Sequence, residues 1–428
     1  MNTTLKNMLS LVLLLPAFML SKVEAQTTKV ITLPEVQAKA KDYYPLLRQK
    51  DLHQQIGEVR AHESGAHVKP QIMVAGQGTY QSEVTKFDFP AGGETHTPLI
   101  KPDQYSLGLQ VEQNLFDYGV AKTEKEIAIT NSGVQSQKTE VDYVQVKERI
   151  NMLFGMIAMQ QENRKIMELR LSEIDAQRKK MQSAVDNGAA LKSNYLVLES
   201  EYLQTQQRIE EIKANQHSNY KTLNTLTGLS IDSTFTFVLP DNQPLQVLDN
   251  IRPEYELFRL QDYSLATQSD LVHKDNLPKF YAFGQGYVGR PGYNFLNNDF
   301  RAYGMLGLSL KWNLSSYYTD DDQRADLSLQ QMVINNQKEV FDINLKTTLD
   351  EELDDISKLE KLIVLDEKIV EVKTAIRISS SSQLDNGTIT SSDYIIDLNG
   401  ETQAQFSLHL HQIQLVMAKE NYKTTLGY

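Results

Sequence analysis

The chain has 428 residues, a formal net charge of −12, 40% hydrophobic and 23% charged residues, and no cysteine. This excludes disulfide frameworks, thiolate metal sites, cysteine nucleophiles and a lipid-anchored cysteine, and a pI near 5.3 offers no basic field for nucleic acid. Proline is scarce at 12, which permits long uninterrupted helices, and a mean hydropathy of −0.41 is too polar for a bundle of membrane helices.

Residues 1–25 read as a secretory signal peptide, with no part in the fold. Lys6 supplies a basic start, Leu9 to Leu20 an apolar run, and Val23 and Ala25 small residues for cleavage before Gln26. The run of about 12 residues falls short of the roughly 20 a membrane helix needs. Its removal takes away Lys6, Lys22 and Glu24, changing the net charge from −12 to −13. No later stretch approaches 18 apolar residues, so soluble periplasmic, secreted and β-barrel fates all stay open.

The remainder is a duplication. Val185-Asp186-Asn187-Gly188 matches Leu384-Asp385-Asn386-Gly387 at an offset of 199, which Asn194/Asp393 and Asn114/Asn313 keep. Upstream the offset is 208, pairing Pro45 with Pro253 and Pro70 with Pro278. The first unit covers 26–228, a linker 229–249, and the second unit 250–428.

Each unit opens with a modest helix, Thr32 to about Gly65 and about Asn250 to Asn276; Thr32 and Glu35 have capping-box spacing. The period then switches to two. Tyr105, Leu107, Leu109 and Val111 alternate with Ser106, Gly108, Gln110 and Glu112, and Leu306, Leu308, Leu310 and Trp312 repeat the pattern. Strands are expected at about 71–84, 104–115, 279–289 and 302–314, joined by Ala91-Gly92-Gly93 and Arg290-Pro291-Gly292. A soluble sandwich and a membrane barrel both show such alternation, but four strands cannot close a barrel, so a membrane-spanning reading requires several chains to share one.

Long helices follow at about 118–186 and 317–385, each 69 residues or about 100 Å. Their apolar residues repeat in heptads (Met167, Ile174, Met181; Ile356, Ile363, Val370), a stripe that needs a partner helix. The partners are return helices at about 190–227 and 389–426, reached through Asp-Asn-Gly turns in which Gly188 and Gly387 suit a left-handed position.

An exported chain with two helix–hairpin–long helix–return helix units resembles the TolC-like outer membrane efflux protein family. Leu33, Glu35, Ala40, Pro45, Leu46, Leu47 and Arg48 are similar to its opening signature. Pro70-Gln71-Ile72 and Pro278-Lys279-Phe280 resemble its strand-opening prolines, and Phe116-Asp117-Tyr118-Gly119 its aromatic-Asp-x-Gly strand exit. The second copy departs from that exit, with Ser315-Ser316-Tyr317-Tyr318-Thr319. Tyr220, Leu226 and Gly228 match its closing pattern, and Tyr422, Leu426 and Gly427 do so more loosely.

The resemblance implies a mainly α fold with a transmembrane β part. A homotrimer would form a 12-stranded β-barrel continued by a periplasmic α-helical barrel. The implied role is the outer-membrane duct of a tripartite efflux pump or type I secretion system. A periplasmic membrane-fusion adaptor and an inner-membrane transporter of RND, ABC or MFS type would drive it. It further implies a periplasmic entrance narrowed by acids of the second unit. Asp393 stands six residues after the tip glycine, with Asn194 in the first unit's place; nine after it stands Ile396, followed by Asp397. Asp393 near the start of a helix is equally a helix cap. Asn187, Gly188, Ala189, Asn386, Gly387 and Thr388 are expected to contact the adaptor.

The sequence carries no catalytic signature, no phosphate loop and no nucleotide site, and His409 and His411 are too closely spaced to share a helix face. No cofactor or metal is expected. The competing reading is a coiled-coil structural or adhesive envelope protein that conducts nothing.

Overall fold

The structure, a computed structural model, describes residues 29–85, 90–91, 94–95 and 100–428. The expected signal peptide and Gly92-Gly93 of the first hairpin connection lie outside the described residues.

The elements run β1 (Lys29–Thr32), α1 (Leu33–Tyr43), α2 (Leu46–Ala66), β2 (Gln71–Tyr80), β3 (Pro90–Ala91), β4 (Glu94–Thr95), β5 (Asp103–Phe116), α3 (Val120–Asp186) and α4 (Lys192–Thr227). Then come β6 (Phe235–Val238), α5 (Pro253–Asp275), β7 (Lys279–Arg290), β8 (Arg301–Lys311), α6 (Tyr317–Asp385) and α7 (Ser391–Thr425). Helix, hairpin, long helix and return helix thus occur twice in order.

The single opening helix expected over Thr32 to Gly65 is instead two. Tyr44 is extended (φ −67°, ψ 127°) because the ring of Pro45 disfavours helical backbone in the residue before it. At the start, the Glu35 carboxylate accepts from the Thr32 N–H at 2.9 Å, as the capping-box spacing requires. The strand expected over 71–84 stops at Tyr80. The one expected over 302–314 stops at Lys311, because the Asn313 side chain accepts from the Ser315 N–H at 3.2 Å and starts a short 3₁₀ turn, Leu314–Ser316. In the first unit Asp117 does the equivalent work, accepting from the N–H groups of Gly119 (3.0 Å) and Ala121 (3.1 Å) to open α3.

One antiparallel sheet in the order β2-β5-β7-β8 joins the two units. Its register aligns Ile72 with Val111, Leu107 with Val288 and Ala282 with Leu308, so one face is aliphatic. Leu107, Leu109, Leu306, Leu308 and Leu310 on that face are exposed, Leu306 by 87%. The opposite face carries Gln110, Gln285, Tyr287 and Tyr303, and Gln110 donates to the Tyr287 hydroxyl. The outer edges of β2 and β8 pair with no other strand among the described residues.

The segment expected to be a plain linker, 229–249, contains β6, which pairs in parallel with β1 (Ile31 opposite Phe237). Parallel strands so far apart in sequence leave no local turn signal. Gln161 of α3 clasps the outer edge of β6, donating to the Phe235 carbonyl (2.6 Å) and accepting from the Phe237 N–H (3.0 Å). Around this ladder lies the largest core: Phe154, Ile150 and Ile157 of α3 meet Val36, Leu223, Ile413 and Phe237. A second core nearer the helix tips joins Ile174, Leu198, Leu384, Tyr394 and Leu398. Among the described residues no helix is long and apolar enough to cross a membrane.

Phe154 is fully buried, with its ring centroid 4.9 Å from that of Phe237. Phe154→Ala should therefore cost about 3–5 kcal/mol of unfolding free energy, checked by the urea midpoint of the helical circular-dichroism signal.

Candidate functional site

The tips of the two helical hairpins are built alike. At the end of α3 the Ala189 N–H donates to the Ala184 carbonyl (2.8 Å) and the Gly188 N–H to Val185 (3.0 Å); at the end of α6 Thr388 donates to Gln383 (3.0 Å) and Gly387 to Leu384 (3.0 Å). These are paired Schellman closures, and they place Gly188 and Gly387 at the same left-handed φ of +71°. The Asn187 and Asn386 side-chain amides donate to the Ser183 (2.8 Å) and Ser382 (2.9 Å) carbonyls, which also accept from the backbone N–H groups of the same asparagines (3.1 Å each), so each helix end is doubly fastened. A Cβ on either glycine would meet nothing within 4 Å, so the requirement for glycine comes from backbone conformation and not from crowding. All six tip residues are exposed.

Asp393 is exposed and sits in a complete capping box on α7. Its carboxylate accepts from the Thr390 N–H (3.0 Å) and hydroxyl (2.7 Å), while Thr390 accepts from the Asp393 N–H (3.3 Å). These hydrogen bonds hold its carboxyl below the ordinary value of 3.8. Asp397 is turned into the α6–α7 pair, where its carboxylate accepts from the Ser380 hydroxyl. Asn194 reaches across the hairpins instead: its Oδ1 accepts from the Ser391 N–H at 3.4 Å, tying the start of α4 to the start of α7. The structure thus brings Asn194 beside the cap that holds Asp393, while Asp397, one turn further along α7, is engaged by Ser380.

One turn further from the tips lies a polar network that sequence reasoning missed. Arg377 of α6 donates to Glu173 of α3 (2.9 Å) and Glu401 of α7 (2.8 Å). The Tyr394 hydroxyl also donates to Glu173 (2.9 Å), and Thr374 donates to Glu401 (2.7 Å). Burial, and after it the charge of Glu173, pushes the Tyr394 hydroxyl well above the ordinary tyrosine value. Arg170 of α3 donates to Thr402 of α7 (3.0 Å), to Asn399, and to Glu201 of α4. Gln177 donates to Ser381 (2.8 Å), and Lys180 pairs with Asp385 (2.9 Å). The network welds one hairpin to the other. Its trace in the sequence is the buried series Met167, Arg170, Ile174, Gln177, Met181, in which two polar residues occupy positions that a coiled-coil seam reserves for apolar ones.

The architecture matches solved structures over nearly its whole length. The outer-membrane channel OprN superposes with a TM-score of 0.71 at 13% identity, covering 92% of this chain and 89% of that one. The chain has the fold of an outer-membrane channel. The outer membrane protein VceC of Vibrio cholerae (TM-score 0.68, 13% identity, 92% and 96% covered) and the Campylobacter jejuni outer-membrane channel CmeC (0.66, 11%, 92% and 85%) share this fold. No family model matches the chain, and no curated protein does so by sequence. At such low identity the likeness is one of architecture, and it is the architecture that the TolC-like resemblance implies.

Because the Asp393 pKa is depressed, the stability its capping adds is complete above about pH 3.8 and is lost as pH falls through the lower folded-state value. Hydrogen-exchange mass spectrometry of the start of α7 should show protection falling below that pH. Asp393→Asn should have weaker protection at neutral pH and lack the acid step.

Proposed function

We propose that this chain is the outer-membrane exit duct of a tripartite efflux pump or type I secretion system. It conducts passively and is driven by an inner-membrane transporter through a periplasmic adaptor. The observation that carries the reading is the open four-stranded sheet: aliphatic on one face, polar and aromatic on the other, and unpaired along both edges among the described residues. In a bilayer such edges are tolerable only when closed, and four strands are too few to close alone.

The free edges fall on two opposite sides of the chain. In the upper helices α2 packs on α3, α3 on α5 and α5 on α6; in the lower ones α4 packs on α3, α3 on α7 and α7 on α6. One side therefore presents β2, α2 and α4, the other β8 and α6. On α2 the exposed Leu52, Ile56 and Val59 fall on one stripe, and on α6 Leu329, Met332, Val333, Val340 and Ile343 fall on another. Unlike edges meeting head to tail generate a closed ring, and three copies supply 12 strands. The ring puts the aliphatic face toward lipid and Gln110, Gln285, Tyr287 and Tyr303 toward the lumen. Around the threefold axis Asp393 lines the entrance, with Asn194 and Asp397 nearby, and the residues of the two tips receive the adaptor.

Three experiments test this. Outer-membrane fractions should yield heat-modifiable trimers that conduct in planar bilayers; a coiled-coil spacer gives neither. Asp393→Ala trimers should show altered conductance and weaker block by divalent cations, and unchanged currents remove Asp393 from the entrance. Bulky residues at Gly188 or Gly387 cost about 1–2 kcal/mol of local backbone strain and should abolish export with trimers intact. Loss of the trimers as well would confine these glycines to the turn.

A further inference from the structure

Where α4 approaches the inter-repeat segment, α3, α4 and residues 231–233 enclose a cleft of about 780 Å³. Arg164, Lys213, His217 and Lys221 line it, and Asp232 is its one acid. At its base lies Gln216, only 2% exposed. Its Oε1 accepts from Arg164 Nη1 at 3.4 Å, but its Nε2 is buried and has no partner. Arg164 Nε is likewise buried without a hydrogen bond; the Glu168 carboxylate lies 3.5 Å away, an ion pair outside hydrogen-bonding geometry.

The neighbouring acceptors are already committed. Asp232 Oδ1 accepts from the Thr234 N–H (2.9 Å) and hydroxyl (2.6 Å), and the Asn224 amide is taken up at both ends by the Ile231 backbone (2.9 and 2.8 Å). Glu210 holds Lys213 at the rim (2.8 Å). The Lys221 ammonium and the His217 ring have no hydrogen bond or ion pair among the described residues. Two buried donors lack acceptors, and each such group costs about 1–3 kcal/mol if left so. A single group with two acceptor oxygens can take up both donors at once, and a negative charge on it suits the exposed Lys221 ammonium at the rim.

We propose that this cleft is an oxyanion-binding site, taking a carboxylate or phosphate group that the buried Gln216 Nε2 and Arg164 Nε meet by a small turn of their side chains toward the cleft, with Lys221 balancing its charge. The space exceeds that of an inorganic ion and falls in the range of ordinary small-molecule sites, so organic acids and phosphate esters fit as well. The bound anion pins α3 to α4 beside β6, steadying the segment that joins the two units. The site stands apart from the hairpin tips and owes nothing to the duct reading.

The test titrates the full-length protein in detergent, at constant ionic strength, with inorganic phosphate in one arm and succinate in the other. Calorimetry and the thermal midpoint are read together. The expected result is saturable binding, one anion per chain, with a midpoint that rises with occupancy. Response to phosphate alone, to succinate alone or to both supports the site and tells which source it prefers. Lys221→Gln, at the surface and without bearing on folding, should weaken binding at least tenfold. Gln216→Glu places a carboxylate beside Arg164 within the chain; it should abolish binding and raise the ligand-free midpoint. No saturable heat from either anion, or affinity unchanged in both variants, overturns the proposal and leaves the two donors to water.

Discussion

Backbone hydrogen bonding at the rim of the sheet is the constraint on which the rest of this structure turns. Among the described residues β2 and β8 each present a row of N–H and C=O groups that no strand pairs, beside an exposed aliphatic face. In water that combination is an aggregation template, and in lipid every unpaired group costs several kcal/mol. Neither solvent suits such edges, and this is the physical basis of the ring proposed above. The helices repeat the demand, since α2 and α6 follow their strands to the same two sides and carry apolar stripes outward there. Strand edge and helix stripe thus ask for the same neighbour.

Stability in such a molecule cannot come from one compact centre. The accessible surface is 27894 Å², against roughly 17,000 Å² for a compact chain of this mass. Burial is instead distributed along helix pairs, with a large core around Phe154 and a smaller one around Tyr394. Long seams of interchangeable apolar residues are prone to slip by a heptad. Arg170 and Gln177, buried in the α3 seam, make that slip costly, because a shifted register would strand a charge and an amide among apolar neighbours. The network joining Arg170, Glu173, Arg377 and Glu401 therefore acts as a register pin for two hairpins that lie far apart in sequence.

What the sequence disclosed follows from the reach of each signal. Period-two alternation and heptads are local, and they located the sheet and the long helices; the Asn-Gly pairs located both tips. Pro45 carried the break between α1 and α2 in plain sight, but helical spacing on both sides of it masked the boundary. The β1–β6 ladder joins residues some two hundred positions apart without a hairpin, so no local pattern announces it. The ionic network was invisible for the same reason, except for two polar residues at seam positions. Asp393 was legible as a helix cap from its place near the start of α7, and its place at the entrance belongs to the proposal above.

Those two readings reinforce each other. Capping orients the Asp393 carboxylate toward Thr390 but does not neutralise it. The same hydrogen bonds lower its pKa and so keep it ionised to more acidic pH than an unconstrained carboxylate. Like charges brought together around an axis push pKa values the other way, since each disfavours ionisation of the rest. In the ring proposed above, an unconstrained acid would yield to that repulsion by taking up a proton. An acid anchored in a capping box resists it, and the anchoring also denies the side chain the freedom to swing away. A helix cap is for that reason a sound place to mount a persistent negative rim, and the Asn194–Ser391 hydrogen bond beside it holds the mounting itself in place.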